Sequence, residues 1–242
     1  MPGFFISTPP RCGTHLLVDS IAFATQSHSA RFTKYDKDFW NHPTVKNRSN
    51  AVIGIHAHNN DAELFDFAQS NKIITTERHP IGQALSILFM HNRGFSPDWP
   101  DNKMFNSDLF KTMLPNSEQF LSYIGSRQFA SYREITSDWS KQGECFSFDR
   151  LVSGNTEELD RLSDYVGARV VLKDIEKSKK KYNDGIVFLG DPSLWKTIVS
   201  QEIASEVAKI FPDYDMETYN PSRTDGDWLF KQLLVIDPSG YN

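Results

Sequence analysis

The sequence predicts an α/β fold with a mostly parallel central sheet flanked by helices, and two features carry that prediction. Four short runs, Phe4 to Ser7, Ala51 to Ile55, Lys72 to Thr76 and Cys145 to Phe148, are apolar almost without a break. Strands buried on both faces show such continuity, where half-exposed strands alternate. Between the runs lie segments with apolar residues at helical spacing, and alternation of the two element types winds a parallel sheet.

Each helical segment has its own signal. Leu16, Leu17, Ile21 and Ala22 mark a helix directly after the first strand. Ala62 to Ala68 marks another, and Ile81 to His91 places Leu85, Leu88 and Phe89 on one face. From Ser117 onward, Phe120, Tyr123, Ile124, Tyr132, Ile135 and Trp139 recur at helical spacing and read as core. Asn155 with Glu158 forms a capping box before Leu159, Leu162 and Val166, and Gly167 closes that stripe. A last helix, Ile203 to Phe211, follows Ser200. The basic run Lys177 to Lys181 reads as a solvated loop, able at most to hold a small anion. With no repeat or low-complexity tract, residues 1–242 are expected to form one domain.

Composition narrows the functional class. The 242 residues are 39% hydrophobic and 24% charged, and 18 Phe supply ample core. A net charge of -5 and a pI near 5.8 argue against a nucleic-acid binder, which needs a basic face. Two cysteines, Cys12 and Cys145, are too few for a disulfide framework and suit a reducing compartment. No basic leader precedes a long apolar stretch, and no window reaches the roughly 18 apolar residues of a membrane span. A cytoplasmic protein is the expectation.

The loop "PPRCGTH" follows the first strand and enters the first helix. Gly13 lets the backbone approach an anion, and the N–H groups of Gly13, Thr14 and His15 can point at phosphate oxygens. Arg11 adds fixed charge and Thr14 a hydroxyl donor. It is not a Walker A loop, because GxxxxGK[ST] is absent. After the third apolar run comes "ERHPIGQALS", with Arg78 at the strand end, Pro80 at a helix start and Ser86 about two turns further on. Arg78 and Ser86 can reach a second phosphate. In an open α/β sheet ligands bind beyond the carboxyl ends of the strands, where the first loop, His56 and Arg78 all fall.

Taken together these segments resemble the sulfotransferases that use 3′-phosphoadenosine 5′-phosphosulfate (PAPS) and release PAP. Pro10-Arg11-Cys12-Gly13-Thr14-His15-Leu16 resembles the family's phosphosulfate loop, and Arg78-His79-Pro80 with Ser86 its R-x-P-x-x-x-x-x-S motif for the 3′-phosphate. "VIGIHAH" offers His56 as catalytic base, with His58 as the second candidate. "CFSFDRL" resembles the family's F-x-[YF]-E-D-L strand, with Phe148 where a ring contacts adenine. The resemblance spans roughly residues 3–211. It departs at Arg11, where Lys is common, at His15-Leu16 for Thr-Trp, and at Asp149-Arg150 for Glu-Asp. The late R-K-G motif is blurred across residues 177–196.

The resemblance implies a P-loop NTPase-like sulfotransferase architecture and transfer of a sulfuryl group from PAPS to a hydroxyl or amine. Arg11, Cys12, Gly13, Thr14, His15, Arg78, Ser86 and Phe148 would hold the donor, with Arg11 and His56 catalytic and no metal involved. Residues 94–142, with the loop "GFSPDWPDNKMFNSDLF", would cover a small-molecule, carbohydrate or lipid acceptor. Two other readings are a P-loop-type nucleotide or small-molecule kinase and a non-catalytic nucleotide-binding protein of the same fold. The missing Lys-Ser/Thr pair counts against the kinase. The sequence leaves the oligomeric state open.

Overall fold

A computed structural model describes residues 3–33, 35–46, 50–93, 107–181, 191–219 and 222–235. In chain order the elements begin β1 (Phe4–Ser7), α1 (Thr14–Thr25), β2 (His28–Arg31), α2 (Lys37–Asn41), α3 (Pro43–Lys46), β3 (Ala51–Ile55), α4 (Ala62–Gln69) and β4 (Lys72–Glu77). Then come α5 (Pro80–Asn92), α6 (Ser107–Thr112), α7 (Glu118–Ile124), α8 (Arg127–Ser140), β5 (Glu144–Ser147), α9 (Phe148–Val152), α10 (Thr156–Val166) and α11 (Leu172–Lys181). α12 (Trp195–Ile198), α13 (Gln201–Ile210) and α14 (Arg223–Val235) complete them.

The chain divides into two compact units, Met1–Arg78 with Tyr132–Lys181, and His79–Ser131 with Tyr182–Asn242. The first holds the whole sheet, ordered β2-β3-β1-β4-β5, and every pairing in it is parallel. The α/β expectation is met, and the flanking helices follow from the alternation of side chains along each strand. Phe4, Ile6, Val52, Ile74 and Phe146 face one way, into a core shared with α1, α9, α10 and α11. Phe5, Ala51, Ile53, Ile55 and Ile73 face the other way, onto Val45, Leu64, Phe67, Ile135 and Trp139. The chain therefore leaves β1 toward one face through α1 and leaves β3 toward the other through α4. The carboxyl end of β1 is a topological switch point, where open α/β sheets leave a crevice.

α1 lies unusually close to the sheet. A Cβ at Gly54 would come within 2.5 Å of Val18 Cγ2 and 3.0 Å of Thr14 Cγ2. The glycine in β3 thus lets the first turn of α1 settle over the β1–β3 seam.

Most element expectations hold, with five differences. β2 carries no apolar run, because an edge strand of sequence His-Ser-Ala-Arg buries only Ala30. β5 ends at Ser147 rather than Phe148: the Ser147 side chain caps α9, so Phe148 opens a helix instead of closing a strand. The aromatic stripe after Ser117 is two helices, α7 and α8, parted at Gly125 and Ser126. The segment with Lys177 is helical in α11 rather than a loop, and Lys177 lies 5.9 Å from the centre of the Phe23 ring of α1. The Asn155 cap of α10 is present, but Glu158 does not return to it. Its buried carboxylate accepts instead from the Ser147 N–H at 2.7 Å and from Arg161.

In the second unit α5 is buried from Pro80 to His91. Asn116 ties its neighbours together, donating to the Ile198 carbonyl at 2.9 Å and accepting from the Ser200 N–H at 2.7 Å. Residues 94–106, the loop part of the expected acceptor cover, lie outside the described residues, as do Gly185 and Gly190 of the blurred late motif.

Candidate functional site

Residues 8–13 leave β1 and turn into α1 through two left-handed positions, Arg11 (φ 64) and Gly13 (φ 91). The turn points its carbonyls toward β4. The Thr76 hydroxyl donates to the Cys12 carbonyl at 2.6 Å, and Arg78 Nη1 donates to the Arg11 carbonyl at 2.8 Å. The other side of the loop presents the N-terminus of α1, capped by Gly13 with no side-chain hydrogen bond and with no acidic residue in the first turn. Such an end carries unpaired N–H groups and a partial positive charge, which favours an anion.

Three guanidinium groups surround this turn. Arg78 follows β4 directly and is only 6% exposed; Nη1 bonds the loop, while Nε makes no hydrogen bond and faces Asp149 Oδ1 at 3.6 Å. Arg11 is held down to a pKa of about 10 by burial and then by the like charge of Arg78. Arg11 remains charged at neutral pH. Arg133 of α8 donates from Nη1 to the Arg78 carbonyl at 2.8 Å, and its charge acts on the Cys12 thiol. Crowding like charges around an electropositive helix end is unfavourable in itself, so the arrangement fits an anionic ligand spanning the loop and Arg78.

The remaining residues of the loop divide by side chain and backbone. Cys12 is fully buried, and burial pushes its thiol up to about 12, so it stays protonated and has only its backbone to offer a ligand. The Thr14 hydroxyl is bonded to that of Thr8, which directs it inward. Burial and the charges of Arg31, His56 and Arg11 push His15 down to about 4, so its ring is neutral at pH 7. Anion contacts from this loop therefore come from N–H groups and Arg11.

His56 is the first residue beyond β3. Its Nδ1 lies 2.8 Å from the Thr8 carbonyl and 3.4 Å from the Thr14 hydroxyl. A carbonyl can only accept, so Nδ1 carries the proton and Nε2 carries the lone pair of the neutral ring. Burial, with the Arg11 charge adding to it, lowers the His56 pKa against the opposing bond to Thr8. His58 is placed differently. Its Nδ1 lies 2.7 Å from Asp138 Oδ2 of α8, and Asn59 donates to the Asp138 carbonyl.

Phe148 is at the site, but against the protein. Its ring sits on Gly13, where an added Cβ would lie 2.4 Å from Cδ2, and the Arg78 guanidinium stacks over it at 4.6 Å. Gly13→Ala is therefore strained twice, by its positive φ and by the ring. We expect it to cost on the order of 2–4 kcal/mol, a fall of roughly 5–15 °C in Tm for a chain of this size. Thermal unfolding of Gly13→Ala and of Gly13→Ala with Phe148→Ala checks this. The double variant should recover the part due to the ring, and an unchanged Tm in the single variant would refute the contact.

The structure thus gathers Arg11, Cys12, Gly13, Thr14, His15, His56, Arg78 and Phe148 in the first unit at the carboxyl ends of β1, β3, β4 and β5. Ser86 lies on α5 in the second unit and is 1% exposed. Among the described residues no group of three His, Cys, Asp or Glu could hold a metal, and no helix is long and apolar enough to cross a membrane. Sequence reasoning missed Arg133, which belongs to no motif and lies on a helix read only for its apolar stripe.

No protein-family model matches the chain, and no curated protein does. Among solved structures, the crystal structure of mouse sulfotransferase SULT7A1 complexed with PAP matches with a TM-score of 0.46 and 18% identity, over 100% of this chain and 78% of that one. Likeness of that degree bears on neither donor nor acceptor.

Proposed function

We propose that the chain is a sulfotransferase that moves a sulfuryl group from PAPS to a hydroxyl or amine of a small-molecule, carbohydrate or lipid acceptor. One observation carries the reading: Arg11, Arg78 and Arg133 cluster at the loop that enters α1, whose start no side chain caps, with His56 beside it and its Nδ1 committed to Thr8. The fit to a doubly anionic nucleotide rests on the buried charge of Arg78, whose Nε makes no hydrogen bond beyond its 3.6 Å ion pair with Asp149, and on the helix end that no side chain caps. Gly13, Thr14 and His15 would hold the 5′ side through their N–H groups with Arg11. Arg78 would hold the 3′-phosphate. Bound PAPS would supply the sulfuryl group and depart as PAP.

The rest falls to the chain's own residues. His56 Nε2 accepts the proton of the acceptor. Arg11 and the loop N–H groups stabilise negative charge on the leaving side by preorganised electrostatics. Arg11, even at a pKa of about 10, is no proton donor at neutral pH; it serves as fixed charge.

Thermal stabilisation by PAP, ATP and ADP tests the donor. A ligand at 100 times its Kd adds about 2.7 kcal/mol to stability, so PAP should raise Tm well above the shift given by ADP. A larger response to ATP would point to a kinase, and no response to any of the three would point to a non-nucleotide role.

A further inference from the structure

We infer that Arg133 is a positioning residue of the anion site, setting the aim of Arg78 from α8; the inference rests on the functional reading above. The argument begins with how β4 ends. Arg78 is the first residue past the strand, and its guanidinium is useful only if the backbone at that point is fixed. Two side chains of α8 hold it. The Thr136 hydroxyl donates to the Thr76 carbonyl at 2.7 Å, and Arg133 Nη1 donates to the Arg78 carbonyl at 2.8 Å. Residues three apart on a helix share a face, so one face of α8 holds the carbonyls of Thr76 and Arg78 at the end of the strand.

The chain of contacts continues into the loop. Arg133 holds the Arg78 backbone, the Arg78 guanidinium holds the Arg11 carbonyl, and Thr76 holds the Cys12 carbonyl. Arg133 therefore stands one bond behind the residue assigned to the 3′-phosphate and two bonds behind the phosphosulfate loop. Its charge also falls on the loop, since it is the foremost charge acting on the Cys12 thiol, ahead of Arg78. A neutral donor could hold a carbonyl as well as Arg133 does. A guanidinium there adds long-range attraction for an anion in a poorly solvated place.

The same helix brackets the base. Trp139 Nε1 donates to the Ala57 carbonyl at 2.7 Å and Asp138 holds His58 and Asn59, so the residues after His56 are fixed from α8 as well. Arg133 differs from these in holding Arg78 rather than the residues after His56, which separates its expected effects from theirs.

The test titrates wild type, Arg133→Ala and Arg133→Lys with PAP and with inorganic pyrophosphate, well below each protein's Tm. Arg133→Ala should weaken both anions by tenfold or more, and Arg133→Lys should recover part of the loss. A purely structural residue would lower Tm and leave both affinities as they are, and that result overturns the inference alone. If Arg133→Ala does not fold, Arg133→Lys carries the test, and wild-type affinity in it overturns the inference. Wild-type protein that binds neither probe overturns the functional reading and the inference together.

Discussion

Replacing His56 with Ala should cut turnover by roughly 10²–10⁴-fold, the range of a lost general base, and leave PAP affinity unchanged. The expectation comes from how the ring is held. The Thr8 carbonyl takes the Nδ1 proton at 2.8 Å, which fixes the tautomer with Nε2 as the basic nitrogen. His58 has its own anchor in Asp138 and is tied to α8 rather than to the loop. His58→Ala should accordingly keep most activity, and the reverse pattern would move the base to His58. His56→Asn is the better-folded control, because an amide can still donate to Thr8 while supplying no base. Equal kcat in His56→Asn and wild type would remove His56 from the chemistry.

The pH dependence of the same residue has a definite sign. Burial lowers the His56 pKa, with the Arg11 charge adding to that effect, so the neutral, basic form is present at pH 7 and persists below the ordinary value of about 6.5. The acid limb of kcat/KM, which reports the free enzyme, should have its midpoint below 6.5. A bound anion favours the imidazolium, so the limb of kcat should lie at higher pH than that of kcat/KM. Folding stability runs the same way. The contribution of neutral His56 is full above the unfolded pKa and is lost as pH falls through the lowered folded value.

How much of this was legible in the sequence depended on whether a residue's role is local. Phe4 to Ser7 and Ala51 to Ile55 were found to the residue, because a strand buried on both faces leaves a continuous apolar run. The Ser200 cap and Gly167 stop were legible for the same reason, since a helix end satisfies its orphan groups within a few residues. β2 was not, because an edge strand buries one residue and leaves little pattern. At the site, motif spacing picked out Arg11, Gly13, His56 and Arg78, each set by its place beside a strand end. It could not pick out Arg133, whose contact with Arg78 spans 55 positions. Nor could it show that Phe148 would lie on Gly13, since that depends on Ser147 ending β5 one residue early.

Arg78→Ala should have two separable consequences. The first is structural. Removing a 6%-exposed guanidinium leaves the Arg11 carbonyl without that donor, uncovers one face of the Phe148 ring and removes the ion pair to Asp149. Breaking a fully buried ion pair costs about 3–5 kcal/mol, and the partial exposure of Asp149 reduces that, so a loss on the order of 2–3 kcal/mol is expected. The second is recognition. Charge-assisted hydrogen bonds contribute about 1.5–3 kcal/mol each, so PAP affinity should fall by roughly ten- to a hundredfold. A comparison with adenosine 5′-phosphate separates the two. If Arg78 serves the 3′-phosphate, wild type prefers PAP over the nucleotide lacking that group, and Arg78→Ala loses the preference while keeping most of its affinity for the simpler ligand. Arg78→Lys keeps the charge without the fork and should fall between them. Were Arg78→Ala to weaken both nucleotides equally, Arg78 would be holding the loop in shape and reading no phosphate, and the 3′-site would have to be sought elsewhere.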